Sequence, residues 1–161
     1  MAGFSHLNEQ NRLHMVDVSG KPDTHRLARA TGTIDLEEAY TAARDQHLAK
    51  GDLLTTATIA GIQGAKSTSG LIPLCHPLPL SSVSLDFRFS DETRQLTVTA
   101  TAITTGKTGV EMEALTAVSV ALLTVFDMCK AITHRMTIHS IRILRKEGGR
   151  SGTMDFTGEQ P

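Results

Sequence analysis

Two stretches of the chain alternate apolar and polar residues with a period of two, as strands buried on one face do. Ser82 to Phe89 reads SVSLDFRF, with Val83, Leu85, Phe87 and Phe89 on one side. Gln95 to Thr105 reads QLTVTATAITT, with Leu96, Val98, Ala100 and Ala102 on one side. The turn Asp91-Glu92-Thr93-Arg94 joins them into a hairpin. Met136 to Leu144 reads as a last strand, Thr24 to Ile34 as a less regular one and Met15 to Val18 as a short one. Elsewhere the period is helical. Asp52 is placed to cap a helix through Lys66, in which Leu54, Ala57, Thr58, Gly61, Ile62 and Ala65 recur and small residues invite close packing. Asp35-Leu-Glu-Glu opens another helix running to about Leu48, with Gly51 as its stop. Val110 to Ala131 is the strongest helix: Leu115, Val118, Leu122, Val125, Phe126 and Cys129 share one face, and Val120, Leu123 and Met128 cover much of the rest. A helix apolar nearly all round is a buried one.

The prolines in LIPLCHPLPL, Leu71 to Leu80, exclude regular structure there. These elements predict an α+β fold, an antiparallel sheet covered by helices. They predict one domain over residues 1–161, with a flexible arm over about 1–13 and a mobile, Gly-rich tail over about 147–161.

Composition narrows the function classes. The chain has 161 residues and a net charge of -1, so nothing global draws it to DNA, RNA or an anionic membrane. With one Tyr and no Trp it is poorly equipped to stack single-stranded bases. Two cysteines, Cys75 and Cys129, make no disulfide framework and read as reduced thiols of a cytoplasmic protein. The run from Ala114 to Cys129 is interrupted by Thr116, Ser119, Thr124 and Asp127, which reads as a buried helix too short and too polar to span a bilayer.

Candidate chemistry lies in four places. Gly106-Lys107-Thr108 invites a P-loop reading, but Thr101 stands where the first glycine is needed and the preceding strand belongs to a hairpin. A softer anion site survives at the amides of Gly106 to Gly109, with Lys107 near. Glu111 and Glu113 open the long helix; Glu111 also fits a capping box with Thr108. Asp127 and Lys130 lie three apart at the end of that helix, where its apolar surroundings predict partial desolvation and shifted pKa values. His76 sits in the proline-rich segment as a substrate wall or proton carrier. Cys75-His76 lacks partners at zinc-site spacing, and Lys50 and Lys66 flank the second helix as candidates for a polyanionic substrate.

With these residues in view, HMVDV (His14 to Val18), KGD (Lys50 to Asp52), ATIAGIQGAK (Ala57 to Lys66), LIPLCHPL (Leu71 to Leu78), TGKTGVEMEALTA (Thr105 to Ala117) and FDMCK (Phe126 to Lys130) resemble the MoaC family over nearly the whole chain, from about Ser5 to Gly152. The resemblance implies a ferredoxin-like fold and a lyase of molybdenum cofactor biosynthesis, a cyclic pyranopterin monophosphate synthase. Such enzymes convert 3′,8-cyclo-7,8-dihydroguanosine 5′-triphosphate, supplied by a radical SAM GTP cyclase, to the cyclic monophosphate with release of diphosphate. It implies Asp127, Lys50 and Lys130 as catalytic residues. It implies Leu74, Cys75, His76, Met112 and Glu113 as substrate contacts, with Glu111 and Lys66 in the pocket. It further implies no resident cofactor or metal, although magnesium can accompany the triphosphate. The implied assembly is a homohexamer, a trimer of dimers, with sites at a dimer interface, and Lys50→Ala and Asp127→Ala variants are expected to complement each other provided that the two residues serve one site from different subunits. Two departures stand out. Arg150 occupies a tail position where the family often has Lys, and Arg cannot serve as a neutral amine base. Phe126 replaces a Tyr. A zinc-dependent pterin or purine cyclohydrolase, and a nucleotide-binding assembly protein with a retired site, are the competing readings.

Overall fold

The computed structural model describes residue 10 and residues 12–149 and 151–158. A strand β1 (Thr24–Asp35) is followed by a one-turn 3-10 segment (Glu37–Ala39) and the helices α1 (Tyr40–Arg44), α2 (Leu53–Lys66) and α3 (Thr68–Leu71). The hairpin β2 (Ser82–Ser90) and β3 (Gln95–Gly106) comes next, then α4 (Glu111–Cys129), β4 (Thr137–Glu147) and the two-residue β5 (Met154–Asp155). All pairings are antiparallel and the strand order is β2-β3-β1-β4-β5. With α2 and α4 packed on the sheet, the first four strands form the ferredoxin-like arrangement of the α+β class.

The core lies between sheet and helices. Ala28, Ala30 and Ile34 of β1 and Leu96, Val98, Ala100 and Ala102 of β3 point to it, and Ala114, Ala117, Val118, Ala121, Leu122 and Val125 of α4 meet them. The core face of β1 carries alanines and Gly32, which explains its weak pattern in sequence. Small residues are required there, because a Cβ on Gly32 would come 2.8 Å from both Leu122 and Val118. Gly61 of α2 faces the backbone carbonyl of Ala117, and a Cβ there would sit 3.0 Å from that oxygen. Gly32 sets the β1–α4 approach, and Gly61 the α2–α4 one.

Four local expectations are corrected. The helix expected to reach Leu48 shrinks to one 3-10 turn and α1, because the chain turns at Asp45 and at Gln46, whose φ is +58°. Met15 to Val18 forms no strand, and its alternation reflects Val16 and Val18 lining a pocket and not a sheet. The tail is not wholly irregular: after a turn through Gly148 and Gly149, Met154–Asp155 pairs back on β4, and Arg145 stands 3.9 Å from Asp155. Finally, α4 has 19 residues and a mean hydropathy of 1.6, long and apolar enough to cross a membrane; its buried packing against sheet and α2 makes it a core helix. The arm expected over residues 1–13 lies almost entirely outside the described residues.

Candidate active site

The acid–base cluster at the C-terminal end of α4 is assembled by two helix ends. Asp52 caps α2, accepting from the Thr55 amide and hydroxyl at 2.9 Å each, and so fixes the loop that carries Lys50. Lys50 Nζ donates to Asp127 Oδ2 at 2.7 Å and to the Asp127 carbonyl at 2.9 Å. Its charge therefore also satisfies an open carbonyl at the negative end of α4. Lys130 Nζ lies 2.7 Å from Asp127 Oδ1. One carboxylate is thus gripped by two ammonium groups, with Lys130 first and Lys50 second in holding its pKa down, to about 2.

That geometry corrects two expectations. The cluster is not desolvated within one chain, since the three side chains are about half exposed; ion pairing and not burial moves the Asp127 pKa. Lys50 and Asp127 also belong to one chain's cluster and are not brought together across an interface.

A second group of predicted residues lines a cavity of about 400 Å³ at the other end of α4. Leu74, Cys75, His76, Glu111, Met112 and Glu113 all line it, together with Val16, Val18 and Lys21. His76 Nε2 lies 2.9 Å from the Val16 carbonyl. A carbonyl only accepts, so Nε2 carries the proton, and in the neutral ring Nδ1 keeps its lone pair. Glu113 is 4% exposed; burial first, and then the neighbouring Glu111, push its pKa up. Burial and the Glu113 charge likewise push the Cys75 thiol up, so it is no activated nucleophile. Glu111 makes no capping box: α4 begins after Val110 without a side-chain cap, and Glu111 instead accepts from Lys146 Nζ at 3.2 Å.

An adjoining cavity of about 330 Å³ shares Lys21, Thr108, Gly109 and Glu111 with the first and adds Arg26, Lys107 and Lys146. Four cations and two carboxylates, Glu111 (paired with Lys146) and Glu147, surround this hollow, a net positive balance that suits an anion. Sequence reasoning passes over Lys21, Arg26 and Lys146, although two of them leave a signal. Arg26 shares the core-facing parity of Ala28 and Ala30, and Lys146 stands opposite Ala28. A charge at a core-parity position near a strand end marks an edge where the core gives way to a site. Arg26 is pinned there, donating to the Gly106 and Lys107 carbonyls at 3.3 Å each. Lys66, at the exposed end of α2, lines neither cavity, and Arg150 lies outside the described residues. Among the described residues no three His, Cys, Asp or Glu side chains cluster as a metal site would require.

The predicted site is therefore in two halves. Sixteen residues separate Glu111 from Asp127 on one helix, roughly 24 Å at 1.5 Å per residue. Residues 15–149 match the profile of the MoaC family. The chain is 51% identical over 154 residues to a cyclic pyranopterin monophosphate synthase of Thermomicrobium roseum, covering 95% of this chain and 93% of that one. It is 52% identical over 150 residues to the enzyme of the same name from Syntrophomonas wolfei (92% and 96% covered). The corresponding figures for the Desulfatibacillum aliphaticivorans protein are 51% over 160 residues, with 99% of each chain covered.

Proposed function

The chain belongs to the MoaC family, and from that premise we propose that it is the lyase that forms cyclic pyranopterin monophosphate in molybdenum cofactor biosynthesis. Its substrate is 3′,8-cyclo-7,8-dihydroguanosine 5′-triphosphate, delivered by a radical SAM GTP cyclase in the cytoplasm. The observation that carries this reading is the pair of adjoining cavities. One holds His76, Glu111 and Glu113 among apolar walls; the other gathers Lys21, Arg26, Lys107 and Lys146.

The cationic cavity takes the triphosphate, and the first cavity takes the purine-derived rings between Leu74, Cys75 and Met112. Opening the imidazole ring and closing the pyranopterin are hydrolytic and condensation steps that move protons repeatedly. Glu113, with its raised pKa, can hold or release a proton closer to neutrality than a surface glutamate. His76 offers Nδ1 as an acceptor while Val16 holds its other nitrogen. In the last step a sugar-derived hydroxyl attacks the α-phosphorus. The new P–O bond forms as the bond to diphosphate breaks, and the hydroxyl proton passes to a base. The charge that develops on diphosphate meets Lys21, Arg26, Lys107 and Lys146, which stabilise it electrostatically. A magnesium ion on the triphosphate arrives with the substrate; the chain supplies no resident metal in this scheme.

The two ammonium groups hold the Asp127 carboxyl well below the usual carboxylate range, so it is an anion near neutral pH. Its role is to hold Lys50 and Lys130 in one place as a pair of directed ammonium groups. They reach the rings only if a second chain presents them. The outward stripe of α4 runs Met112, Leu115, Ser119, Leu123 and Asp127, mostly apolar and open, with Leu123 60% exposed. A second copy packed antiparallel across this stripe, centred near Ser119 and Val120, sets each chain's Asp127 cluster over the other's Glu113 cavity. The homohexamer, a trimer of dimers, contains this pair. The test is turnover: the purified chain converts the cyclic triphosphate to cyclic pyranopterin monophosphate with one diphosphate per product. Absence of turnover by the folded, assembled protein, or activity only with added zinc, would overturn the reading.

A further inference from the structure

The loop that presents Lys50 is tied at its base by Gln46. Where α1 ends, the His47 amide donates to the Ala42 carbonyl at 2.9 Å and the Gln46 amide to the Ala43 carbonyl at 3.3 Å. This pair of bonds closes a helix around one residue in the left-handed region, a place usually taken by glycine because a Cβ is crowded there. Here the residue is Gln46, with φ of +58°. Its side chain has work that glycine could not do. Gln46 Oε1 accepts from the Leu53 amide at 3.1 Å, and Nε2 donates to the Ala43 carbonyl at 3.4 Å. The Leu53 amide is the first of α2, so no carbonyl of its own helix can take it, and Leu53 is fully buried, out of reach of water. A donor left unmet there would be costly, and Gln46 supplies the acceptor. Asp52 does the same for the Thr55 amide, but within its own helix. Gln46 instead reaches across seven residues and joins the end of α1 to the start of α2. Among the described residues no other hydrogen bond joins those two ends.

Both ends of this clasp are anchored. Tyr40 of α1 is buried and its hydroxyl donates to Asp91 Oδ1 at 2.7 Å, and Arg44 donates to the same oxygen at 2.7 Å, which pins α1 to the turn between β2 and β3. α2 packs on α4. Between the two ends, Leu48 packs against the core and its carbonyl accepts from the Gly51 amide at 3.2 Å, a tight turn with Ala49 and Lys50 as its central residues. The Lys50 ammonium has to meet the Asp127 carboxylate and the Asp127 carbonyl together. A charge on a flexible four-carbon stem does so reproducibly only when the backbone that carries it is held, because every loosened torsion adds freedom that the contact must overcome.

We propose that Gln46 is a positioning residue of the active site: by clasping the end of α1 to the first amide of α2, it fixes the loop from which Lys50 reaches Asp127. Gln46 lines neither substrate cavity and acts only through Lys50. The kinetic consequence rests on the proposed activity; the placement of Lys50 does not.

Three full-length variants test it. Gln46→Gly removes the clasp while easing the left-handed backbone. Gln46→Asn keeps an amide and tolerates that backbone, but is one methylene too short to reach Leu53. Gln46→Glu keeps both the length and an acceptor for the Leu53 amide, at a helix N-terminus that favours its charge. Two readouts are taken on protein with native circular dichroism: steady-state turnover, and the rate of reductive methylation of each lysine followed by mass spectrometry. Lys66, exposed at the far end of α2, is the internal reference. In the Gly and Asn variants Lys50 should methylate several-fold faster with Lys66 unchanged, and kcat should fall about 10-fold with KM within about twofold. The Glu variant should keep wild-type Lys50 reactivity and most of kcat. Gly and Asn variants with wild-type Lys50 reactivity or wild-type kcat would overturn the proposal. So would a rise in Lys50 and Lys66 reactivity together, which would make Gln46 a general stabiliser of α2, or a Glu variant that behaves as the Gly variant does. Absence of turnover in the wild type would count against the proposed activity and leave the methylation result standing.

Discussion

The division of the site between two ends of α4 makes a quantitative prediction about mixed assemblies. Consider Glu113→Gln in one chain and Asp127→Asn in another, each inactive alone. Both substitutions are near-isosteric and lie at opposite ends of a helix that both chains keep. In a mixed pair built on the α4 stripe, one site receives both substituted side chains and is dead. The other receives Glu113 from one chain and Asp127 from its partner, and is wild type. Random association makes about half of the pairs mixed, and one of two sites in each is intact, so the mixture should reach about one quarter of wild-type activity per chain. Pairing Lys50→Ala with Asp127→Asn gives the contrasting result. Those residues touch within one chain at 2.7 Å, so they enter a site together. Each site of such a mixed pair carries one of the two defects, and no activity returns. The assay is diphosphate release from the cyclic nucleotide after co-expression of two differently tagged chains, compared with each variant expressed alone. A Glu113→Gln and Asp127→Asn mixture with no more activity than its components would refute the split site. Recovery by the Lys50 and Asp127 pair would refute the single-chain cluster.

Glu113→Gln should cost activity while raising stability at neutral pH. The folded-state pKa of Glu113 is raised, so ionisation destabilises the fold as pH climbs above its unfolded value of about 4.5, and Gln removes that penalty; urea midpoints at pH 4 and pH 7 that shift equally would contradict it. His76→Asn keeps a side-chain amide for the Val16 carbonyl, so KM should rise with kcat nearly intact if Nδ1 only accepts from substrate. A fall in kcat of about 10²-fold or more with loss of one limb of the pH profile would assign His76 a proton-transfer role instead. Gly61→Val should push α2 from α4, because the Ala117 carbonyl cannot yield as a side chain can. Overpacking costs about 1–3 kcal/mol, which for a chain of this length is a fall of roughly 6–12 °C in Tm at its upper end. An unchanged Tm at the same protomer concentration would show that the helices are not in tight contact there.

What is legible in the sequence divides along a physical line. Strands and helices with strong contrast, such as β2, β3 and α4, announce themselves because their apolar positions recur with one clear period. β1 is harder to see because its core face is Ala28, Ala30 and Gly32, small residues selected by the closeness of Val118 and Leu122. The extent of α1 is misread because its helical acids, Glu37 and Glu38, sit in a 3-10 turn that leads into the buried Tyr40. Most of the site residues are candidates by type and placement alone; the resemblance adds Leu74 and Met112 and assigns the roles. Apart from Lys107, the cationic cavity escapes notice because its members come from a turn and two strand ends: Lys21, Arg26 and Lys146. Residues so scattered share no spacing, and only the register that puts Lys146 beside Ala28 collects them.

The same logic explains why the cluster at Asp127 looks unfinished in one chain. An ion triad half open to water has ordinary surface character, and salt and solvent weaken it. Covered by a second chain, the carboxylate would face a desolvation cost that two ammonium groups at 2.7 Å are arranged to offset. The ammonium groups would in turn be held close to the substrate in a drier medium, where each directed charge counts for more. The low pKa of Asp127 then has a purpose beyond catalysis in the narrow sense. In the proposed pair it favours an anion that stays charged on burial, so that Lys50 and Lys130 would reach the partner's cavity already positioned. An Asp127→Asn chain should therefore assemble normally yet loosen Lys130 more than Lys50, which keeps the backbone carbonyl of residue 127; unchanged side-chain NMR linewidths of Lys130 in that variant would argue that something other than the Asp127 carboxylate positions it.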